Sequence, residues 1–356
     1  MDFLYNFPAV RGKQANKEYY ISMVPLKLLT KLFGNEEEIV PPEYRAQRKI
    51  NDARIPDIKD YIINNRDSYV FSALSASIDG EFSFVPYSDS DIGILKVSMD
   101  ANFLINDGQH RKAAIEAAML DDETLGSETI SIVFFKDEGL ARSQQMFTDL
   151  NKHAVKTSNS LSTLYDSRDS IAVATKAVIE SVPFFRMYTD KERDILGKNS
   201  SNLFTLNNIY RANQKILHSD SCNQSDTEFL IRYWSCVSDN IAEWQELLNH
   251  SITKRDLREN YIITLAVTLN AIGRLGRHFY DQPKTDFKPY LLHLKTIDWL
   301  RSNEENWLKR TIRENGKVMN SEEAVILTCS KIKMLLNIPL SKDELAKENI
   351  LIEKKK

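Results

Sequence analysis

Hydrophobic and polar positions alternate along short stretches of the first 136 residues, and this period of two is typical of strands. The stretches that predict strands are Tyr19–Pro25, Tyr69–Ile78, Ile92–Met99, Phe103–Ile105 and Ile130–Phe135. Phe7–Gly12 predicts an extended segment, and Leu26–Phe33 predicts a short apolar helix that ends at Gly34. The pair Asp79-Gly80 predicts a hairpin turn that leads from the second strand into Glu81–Val85.

From about residue 138 onward, apolar residues recur three and four positions apart, which is the period of an amphipathic helix. The main predicted helices are Leu140–Asn151, Thr227–Leu248, Asp256–Arg277 and Glu322–Leu336. The first of them carries Met146, Phe147 and Leu150 on one apolar face. We therefore predict an α+β protein, with a mixed domain over residues 1–157 and a mostly helical domain over residues 158–356.

Composition narrows the class of protein. The 356 residues include 47 Lys and Arg against 50 Asp and Glu, a net charge of −3. This charge argues against a nonspecific nucleic-acid coat, although basic residues concentrated on one surface could still bind DNA. No apolar run approaches the roughly 20 residues of a membrane span, and the N-terminus lacks the features of a signal peptide. With only three scattered cysteines, we expect a reduced, cytoplasmic protein.

The stretch from residue 103 to residue 118 reads as a strand, a sharp turn and a helix. Asp107-Gly108 forms the turn, and the alanine-rich run after Arg111 favours a helix. Gln109, His110 and Arg111 then fall in the first helical turn, where free backbone N–H groups and the positive end of the dipole attract an anion. We predict a phosphate site there, with the Arg111 side chain facing the ligand. In the alternative interpretation, Asp107 only caps the helix and Arg111 only forms a salt bridge.

Other basic and polar residues could contact phosphates. Asn151, Lys152, His153 and Lys156 form a second polar cluster, and Arg45, Arg48 and Arg54 could line the rim of a shared pocket. A further set, Lys309, Arg310 and Arg313, has helical spacing near Trp307, which suits contact with a DNA backbone. A solvated amphipathic face explains such charges equally well. No spacing of His or Cys suggests a metal site, and neither a Gly-x-Ser-x-Gly elbow nor a Walker A motif occurs.

The pentapeptide Asp107-Gly108-Gln109-His110-Arg111 resembles the signature of the DGQHR-domain family, within the ParB/sulfiredoxin-like superfamily. Gln109 stands where sulfiredoxins have their catalytic cysteine, so their thiol chemistry does not carry over. Two later segments also resemble that family: Phe147-x-Asp149-Leu150-Asn151 and Lys156-x-Ser158-x-x-Leu161. The C-terminal half resembles the B component of the Dnd system, which carries out DNA phosphorothioation.

The resemblance implies a ParB/sulfiredoxin-like N-terminal domain and a transcriptional repressor that binds double-stranded DNA at the promoter of a phosphorothioation gene cluster. We expect no cofactor and, as for many repressors of two-fold operators, a homodimer. Two alternatives remain open. One is a nucleotide-binding or nucleotide-hydrolysing protein, with a nucleotide as its cofactor. The other is an assembly factor that contacts other DNA sulfur modification proteins.

Overall fold

A computed structural model describes residues 3–34, 51–152, 157–197 and 200–353 of the chain. The chain divides into two compact units, Met1–Val155 and Lys156–Lys356. The first unit contains a mixed β-sheet with helices, and the second is mostly helical. The predicted α+β class is therefore confirmed.

The sheet of the first unit has seven strands within the described residues. They are β1 (Leu4–Gln14), β2 (Lys17–Pro25), β3 (Leu74–Asp79), β4 (Phe82–Pro86), β5 (Ile92–Ser98), β6 (Asn102–Asp107) and β7 (Thr129–Lys136). Their order across the sheet is β4-β5-β1-β2-β7-β3-β6. All neighbours are antiparallel except β3 and β7, which run parallel.

One face of this sheet is covered and forms the core of the first unit. In β2, Tyr20 and Val24 are buried, whereas Met23 on the opposite face is 64% exposed. This is the alternation that a sheet with one buried face requires. The helices of this unit are α1 (Leu29–Leu32), α2 (Ile55–Asn64), α3 (Gln109–Asp121) and α4 (Leu140–Lys152). The core includes Ile115 and Ala118 of α3, so this helix packs on the buried face.

The second unit begins with α5 (Asn159–Tyr165), α6 (Ser170–Ser181), α7 (Pro183–Tyr188), α8 (Leu206–Leu217), α9 (Gln224–Asn240) and α10 (Ala242–Leu248). It continues with α11 (Lys254–Asn260), α12 (Ala266–Tyr280), α13 (Lys288–Leu291), α14 (Glu304–Trp307), α15 (Glu322–Leu335) and α16 (Lys342–Glu353). A parallel pair, β8 (Thr189–Asp190) and β9 (Phe204–Thr205), lies between α7 and α8. Aromatic rings fill the core, as where Phe184 stacks on Trp244 with centroids 4.5 Å apart. Each described helix is too short or too polar to cross a bilayer.

Two details of the predicted sheet are wrong. β3 begins at Leu74 instead of Tyr69, because Tyr69 and Phe71 pack as rings against each other before the strand starts. The predicted hairpin of β3 and β4 does not form, since β3 pairs with β6 and β7 while β4 pairs with β5. β3 pairs with strands that are distant in sequence instead of forming a hairpin at Asp79-Gly80. The alternation of side chains along a strand does not reveal which strand will be its neighbour.

Two of the three long helices predicted in the second unit are divided, whereas the third, predicted over Glu322–Leu336, is present as α15. Thr227–Leu248 is broken at the fully buried Ile241, whose backbone is extended. Asp256–Arg277 is interrupted between α11 and α12, where the N–H of Ile262 donates to the carbonyl of Trp299 at 3.0 Å. In the first unit, Leu150 of α4 lies on the same helical face as Met146 but is 42% exposed, whereas Met146 is buried. Tertiary contacts override helical periodicity at these places.

Candidate functional site

The predicted strand–turn–helix is present at the edge strand of the sheet. β6 ends at Asp107, Gly108 makes the turn, and α3 begins at Gln109. Gly108 has φ +107°, and a Cβ at this position would lie 2.3 Å from Cδ2 of Leu74. Both the backbone conformation and the close approach of Leu74 therefore require glycine.

No side chain caps the N-terminus of α3. Gly108 is the N-cap residue and has no side chain to accept a hydrogen bond, and the first turn contains no acidic residue. The regular bonds of the helix begin where the N–H of Lys112 donates to the carbonyl of Gly108 at 2.9 Å. Among the described residues, no side-chain hydrogen bond caps this 13-residue helix, and the carboxylate of Asp107, which precedes Gly108, pairs with Arg111 instead.

The Arg111 side chain is held inside the protein. Its Nη1 donates to the carbonyls of Ser72 and Ala73 at 2.7 and 2.9 Å, and also to the Ser72 hydroxyl. Its Nη2 donates to Oδ2 of Asp107 at 2.6 Å, and the side chain is 17% exposed. This differs from the expected ligand-facing orientation, because the guanidinium ties the β6–α3 turn to the chain that leads into β3. A direct phosphate contact by Arg111 is not part of this arrangement.

Another segment of the first unit reaches the same turn of α3. The N–H of Asn51 donates to Nε2 of His110 at 3.0 Å, which places the start of the 3₁₀ turn Asp52–Arg54 beside the helix end. Arg54 is exposed and has no ion pair with any described residue. The other two predicted rim residues, Arg45 and Arg48, lie outside the described residues.

Two buried polar residues, Asn106 and Lys112, lie beside the turn. Asn106 donates from Nδ2 to the Ser77 hydroxyl at 2.8 Å, and its Oδ1 is buried with no partner. Lys112 is nearly buried, with Nζ 2.8 Å from Oε2 of Glu116. The only sequence signal for Asn106 was a polar residue after an apolar run, which also marks the end of a strand.

The second predicted cluster is described only in part. α4 packs against β6, which carries the signature turn at its end, and it extends to Lys152. The side chains of Asn151 and Lys152, and the whole of His153 and Lys156, lie outside the described residues. That these residues and the signature share one pocket stays a prediction.

The next family-like segment forms a helix start in the second unit. Ser158 caps α5 by accepting the N–H of Leu161 at 3.1 Å, and its hydroxyl donates to the carbonyl of Glu192. The serine and the leucine of the Lys-x-Ser-x-x-Leu pattern are thus residues of one capped helical turn. Their spacing has a structural reason that is independent of any ligand.

The helical spacing predicted for the C-terminal basic set is wrong. α14 ends at Trp307, Lys309 has φ +62°, and the chain then forms a tight turn closed by Arg313 and Lys317. Arg310 is buried in a bidentate ion pair with Glu348, so we do not assign it to a DNA surface. Lys309 pairs with Glu314 at 2.9 Å, while Arg313 is exposed and has no ion pair with any described residue.

Together these features define an α+β protein in which a glycine turn at a sheet edge presents the uncapped end of a helix. Among the described residues, no group of three or more His, Cys, Asp or Glu could hold a metal ion. The chain matches the model of the DndB family, described as DNA-sulfur modification-associated, over residues 7–339. Because nearly the whole chain is covered, the protein belongs to the DndB family and is associated with DNA sulfur modification. Neither a curated protein nor a solved structure gave a significant match.

Proposed function

We propose that this protein is a DNA-binding transcriptional repressor that acts at the promoter of a DNA phosphorothioation gene cluster. The observation that carries the proposal is the uncapped N-terminus of α3 behind Gly108. A DNA phosphate supplies the negative charge that this helix end lacks. Family membership supplies the biological context, which is DNA sulfur modification.

Charge around the helix end supports the same proposal. Arg54 is the N-cap residue of α2 and follows three residues after Asn51, whose N–H donates to His110; its exposed guanidinium has no ion pair among the described residues. Lys152, the last residue of α4, and Lys156, four residues further on, would extend the contact along the DNA backbone. Arg313 offers a separate cation in the second unit. Phosphate contacts of this kind position a protein on DNA, and base contacts must supply the sequence preference.

The proposal includes two further parts that come from the family resemblance. The first unit has a ParB/sulfiredoxin-like fold, in which the signature helix cradles a phosphate. The repressor acts as a homodimer, because a two-fold protein matches two half-sites of an operator. Light scattering with and without promoter DNA tests the second part, and a monomeric mass in both samples contradicts it.

Replacing Gln109 by Glu tests the helix end directly. The new carboxylate would occupy the positive end of α3, so the helix should keep or gain stability while phosphate is repelled. Asn102→Asp is the matched control, because it adds the same charge at the other end of β6. We expect Gln109→Glu to weaken promoter binding at least about 10-fold and to flatten its salt dependence by about one unit of slope. Equal binding by both variants would contradict the proposed site.

The repressor is distinguished from an assembly factor by sequence preference. Gel shifts at physiological salt should compare promoter DNA with an unrelated duplex of equal length. We expect specific binding to exceed nonspecific binding by about 10³-fold or more. Equal and weak binding to both duplexes would favour the assembly factor.

A nucleotide is the second candidate ligand, because the same uncapped helix end and glycine turn suit a nucleotide phosphate. Phosphate release from ATP, measured with and without promoter DNA, distinguishes a nucleotide-hydrolysing protein from a binder. Release that is abolished by Gln109→Glu and retained by Asn102→Asp would support this candidate. Absence of release, together with promoter binding, supports the repressor.

A further inference from the structure

The second unit contains a cavity of about 310 Å³ that the proposed DNA contact does not use. One wall is a single face of α5 and its C-cap: Asn159, Ser162, Thr163 and Asp166. The other wall is a single face of α8: Asn207, Tyr210, Arg211 and Gln214. Both sets have the spacing i, i+3, i+4, i+7, so each helix turns one polar stripe toward the same space. Asp169, the N-cap of α6, completes the lining.

The shape of this region separates it from an ordinary solvated helix surface. The opposite face of α8 is fully buried in the core through Leu206, Ile209, Ala212 and Ile216. The polar stripes therefore converge on a concave space instead of facing outward on a convex surface. The volume lies at the small end of the range for small-molecule sites, and the lining side chains are more polar than is usual in such sites.

Part of the lining forms a fixed frame. Asp169 accepts the amides of Ile171 and Ala172 through Oδ1 and the Tyr210 hydroxyl, at 2.5 Å, through Oδ2. Gln214 donates from Nε2 to the Tyr210 hydroxyl at 3.2 Å. Burial and the hydrogen bond to Asp169 raise the pKa of Tyr210, which keeps its phenol protonated. These groups satisfy one another and are not available to a ligand as charges.

The remaining groups are uncommitted. The Arg211 guanidinium, the Asn207 side-chain amide and the Ser162 hydroxyl have no hydrogen-bond partner among the described residues. Asp166 accepts the amides of Arg168 and Asp169 through Oδ1, and its Oδ2 has no partner among the described residues. The cavity thus offers one free cation and one free anionic oxygen, together with neutral polar groups.

The charges and the lining decide the class of ligand. Two carboxylates and one guanidinium give the cavity a net charge of −1, which disfavours a dianionic phosphate. Tyr210 is the one aromatic ring in the lining and no aliphatic side chain accompanies it, so a nucleobase would contact a single ring. We propose that this cavity binds a small zwitterion, a free α-amino acid, with its carboxylate on Arg211 and its ammonium group on Asp166. The fork of Arg211 suits a carboxylate, and a zwitterion leaves the net charge unchanged.

The proposed site also gives a role to the second family-like segment. Asn159, Ser162, Thr163 and Asp166 all belong to the stretch that follows Ser158, and their side chains line the cavity. The binding claim does not depend on the DNA proposal, since no residue that lines the cavity is assigned to the DNA contact. Either one can fail without the other.

Thermal-shift and calorimetric titrations of the full chain test the site. The probes are free L-amino acids, tried one at a time, with the corresponding amino acid amides and N-acetyl amino acids as ligands that lack one of the two charges. Arg211→Gln and Asp166→Asn remove the two protein charges. Arg232→Gln is the matched control, because Arg232 is an exposed arginine on α9 that does not line the cavity.

We expect at least one free amino acid to bind the wild-type protein and the Arg232→Gln variant equally. Arg211→Gln should weaken that binding at least about 10-fold, since a charge-assisted hydrogen bond is lost. Because Arg211 is exposed and has no partner among the described residues, its variant should melt like the wild-type protein. Absence of binding at 10 mM of every amino acid, or undiminished binding by Arg211→Gln, would overturn the proposal. Stronger binding of AMP than of any amino acid would overturn the ligand class.

Discussion

Gly108 is the residue on which the signature turn depends. Its left-handed backbone and the contact with Leu74 exclude a side chain at this position. Because Gly108 is also the N-cap residue of α3, the helix has no N-cap side chain that could accept a hydrogen bond. The same glycine therefore shapes the turn and leaves the helix amides without a capping side chain. This explains why the motif combines a tight turn with a free positive helix end.

The cost of a side chain at Gly108 can be separated into two parts. Gly139 also has positive φ, +93°, but nothing lies within 4 Å of a Cβ placed there. Gly139→Ala should lower the free energy of unfolding by about 1–2 kcal/mol, the cost of a left-handed backbone. Gly108→Ala should cost more by at least about 1 kcal/mol, because Leu74 must also move. Urea unfolding of both variants measures this difference. Equal losses of unfolding free energy would show that the Leu74 side chain can move aside at no measurable cost.

Arg111 contributes mainly to stability in this arrangement. Arg111→Ala removes four hydrogen bonds, two of them to backbone carbonyls, and should cost about 1.5–3 kcal/mol. Arg111→Lys should recover part of this loss, since it keeps the charge and loses the planar fork. Arg142→Ala is the control, because its pair with Glu138 is partly exposed and 3.8 Å long, and it should cost less than about 1 kcal/mol. Thermal melts of the three variants measure these losses of stability. A wild-type melting temperature for Arg111→Ala would support the interpretation in which the Arg111 side chain faces a ligand.

The last helix, α16, is attached to other elements of the second unit by buried ion pairs. It buries Glu344 and Glu348, one turn apart, while Leu345 is exposed. Glu344 meets Lys333 of α15 and Arg274 of α12, and Glu348 meets Arg310. A buried ion pair adds little stability compared with a well-packed apolar replacement of both residues. Replacing only one partner is strongly destabilising, because it leaves the other charge buried and unpaired.

The pH dependence of this attachment follows from Glu344. Burial alone would raise the pKa of Glu344, but hydrogen bonds from Lys333 and the Ser341 amide hold this pKa below the usual value for a glutamate. A lowered folded-state pKa gives stability that is fully present above about pH 5 and is lost as the pH falls through the folded value. The stability difference between the wild-type protein and Glu344→Gln should therefore be constant from about pH 5 to 7 and shrink below about pH 4.5.

Urea midpoints between pH 3 and 7 provide this measurement. Glu305→Gln, an exposed change on α14, should give a pH-independent and small difference. A stability difference between the wild-type protein and Glu344→Gln that grows on acidification would contradict the role of Glu344 as a charged partner.

Across the whole molecule, each unit has a core of its own. The core of the second unit runs from Ile171 to Ile338 and contains all four tryptophans of the chain, whereas the first core is built on the sheet. We propose that residues 158–356 form an independent folding domain. Expressed alone, this fragment should unfold cooperatively and keep the buried-tryptophan fluorescence of the full chain. Red-shifted emission, as from exposed tryptophan, would contradict the predicted division at residues 157 and 158.

Local patterns sufficed where the structure depends on neighbours in sequence. Alternation predicted most strands, the Asp107-Gly108 turn was placed correctly, and α3 begins where helix-forming residues follow it. These features are determined by the sequence because glycine φ values, strand alternation and helix propensity act over a few residues.

Tertiary structure decided everything that depends on a distant partner. The place of β3 between β7 and β6 comes from long-range pairing, and the break at Ile241 comes from burial. Arg310 illustrates the reason most directly. Its charge and spacing suggested DNA, but its partner is Glu348, 38 residues further along the chain. A residue pattern shows which groups can ionise, whereas only the folded chain decides which of them are paired and which remain free to bind.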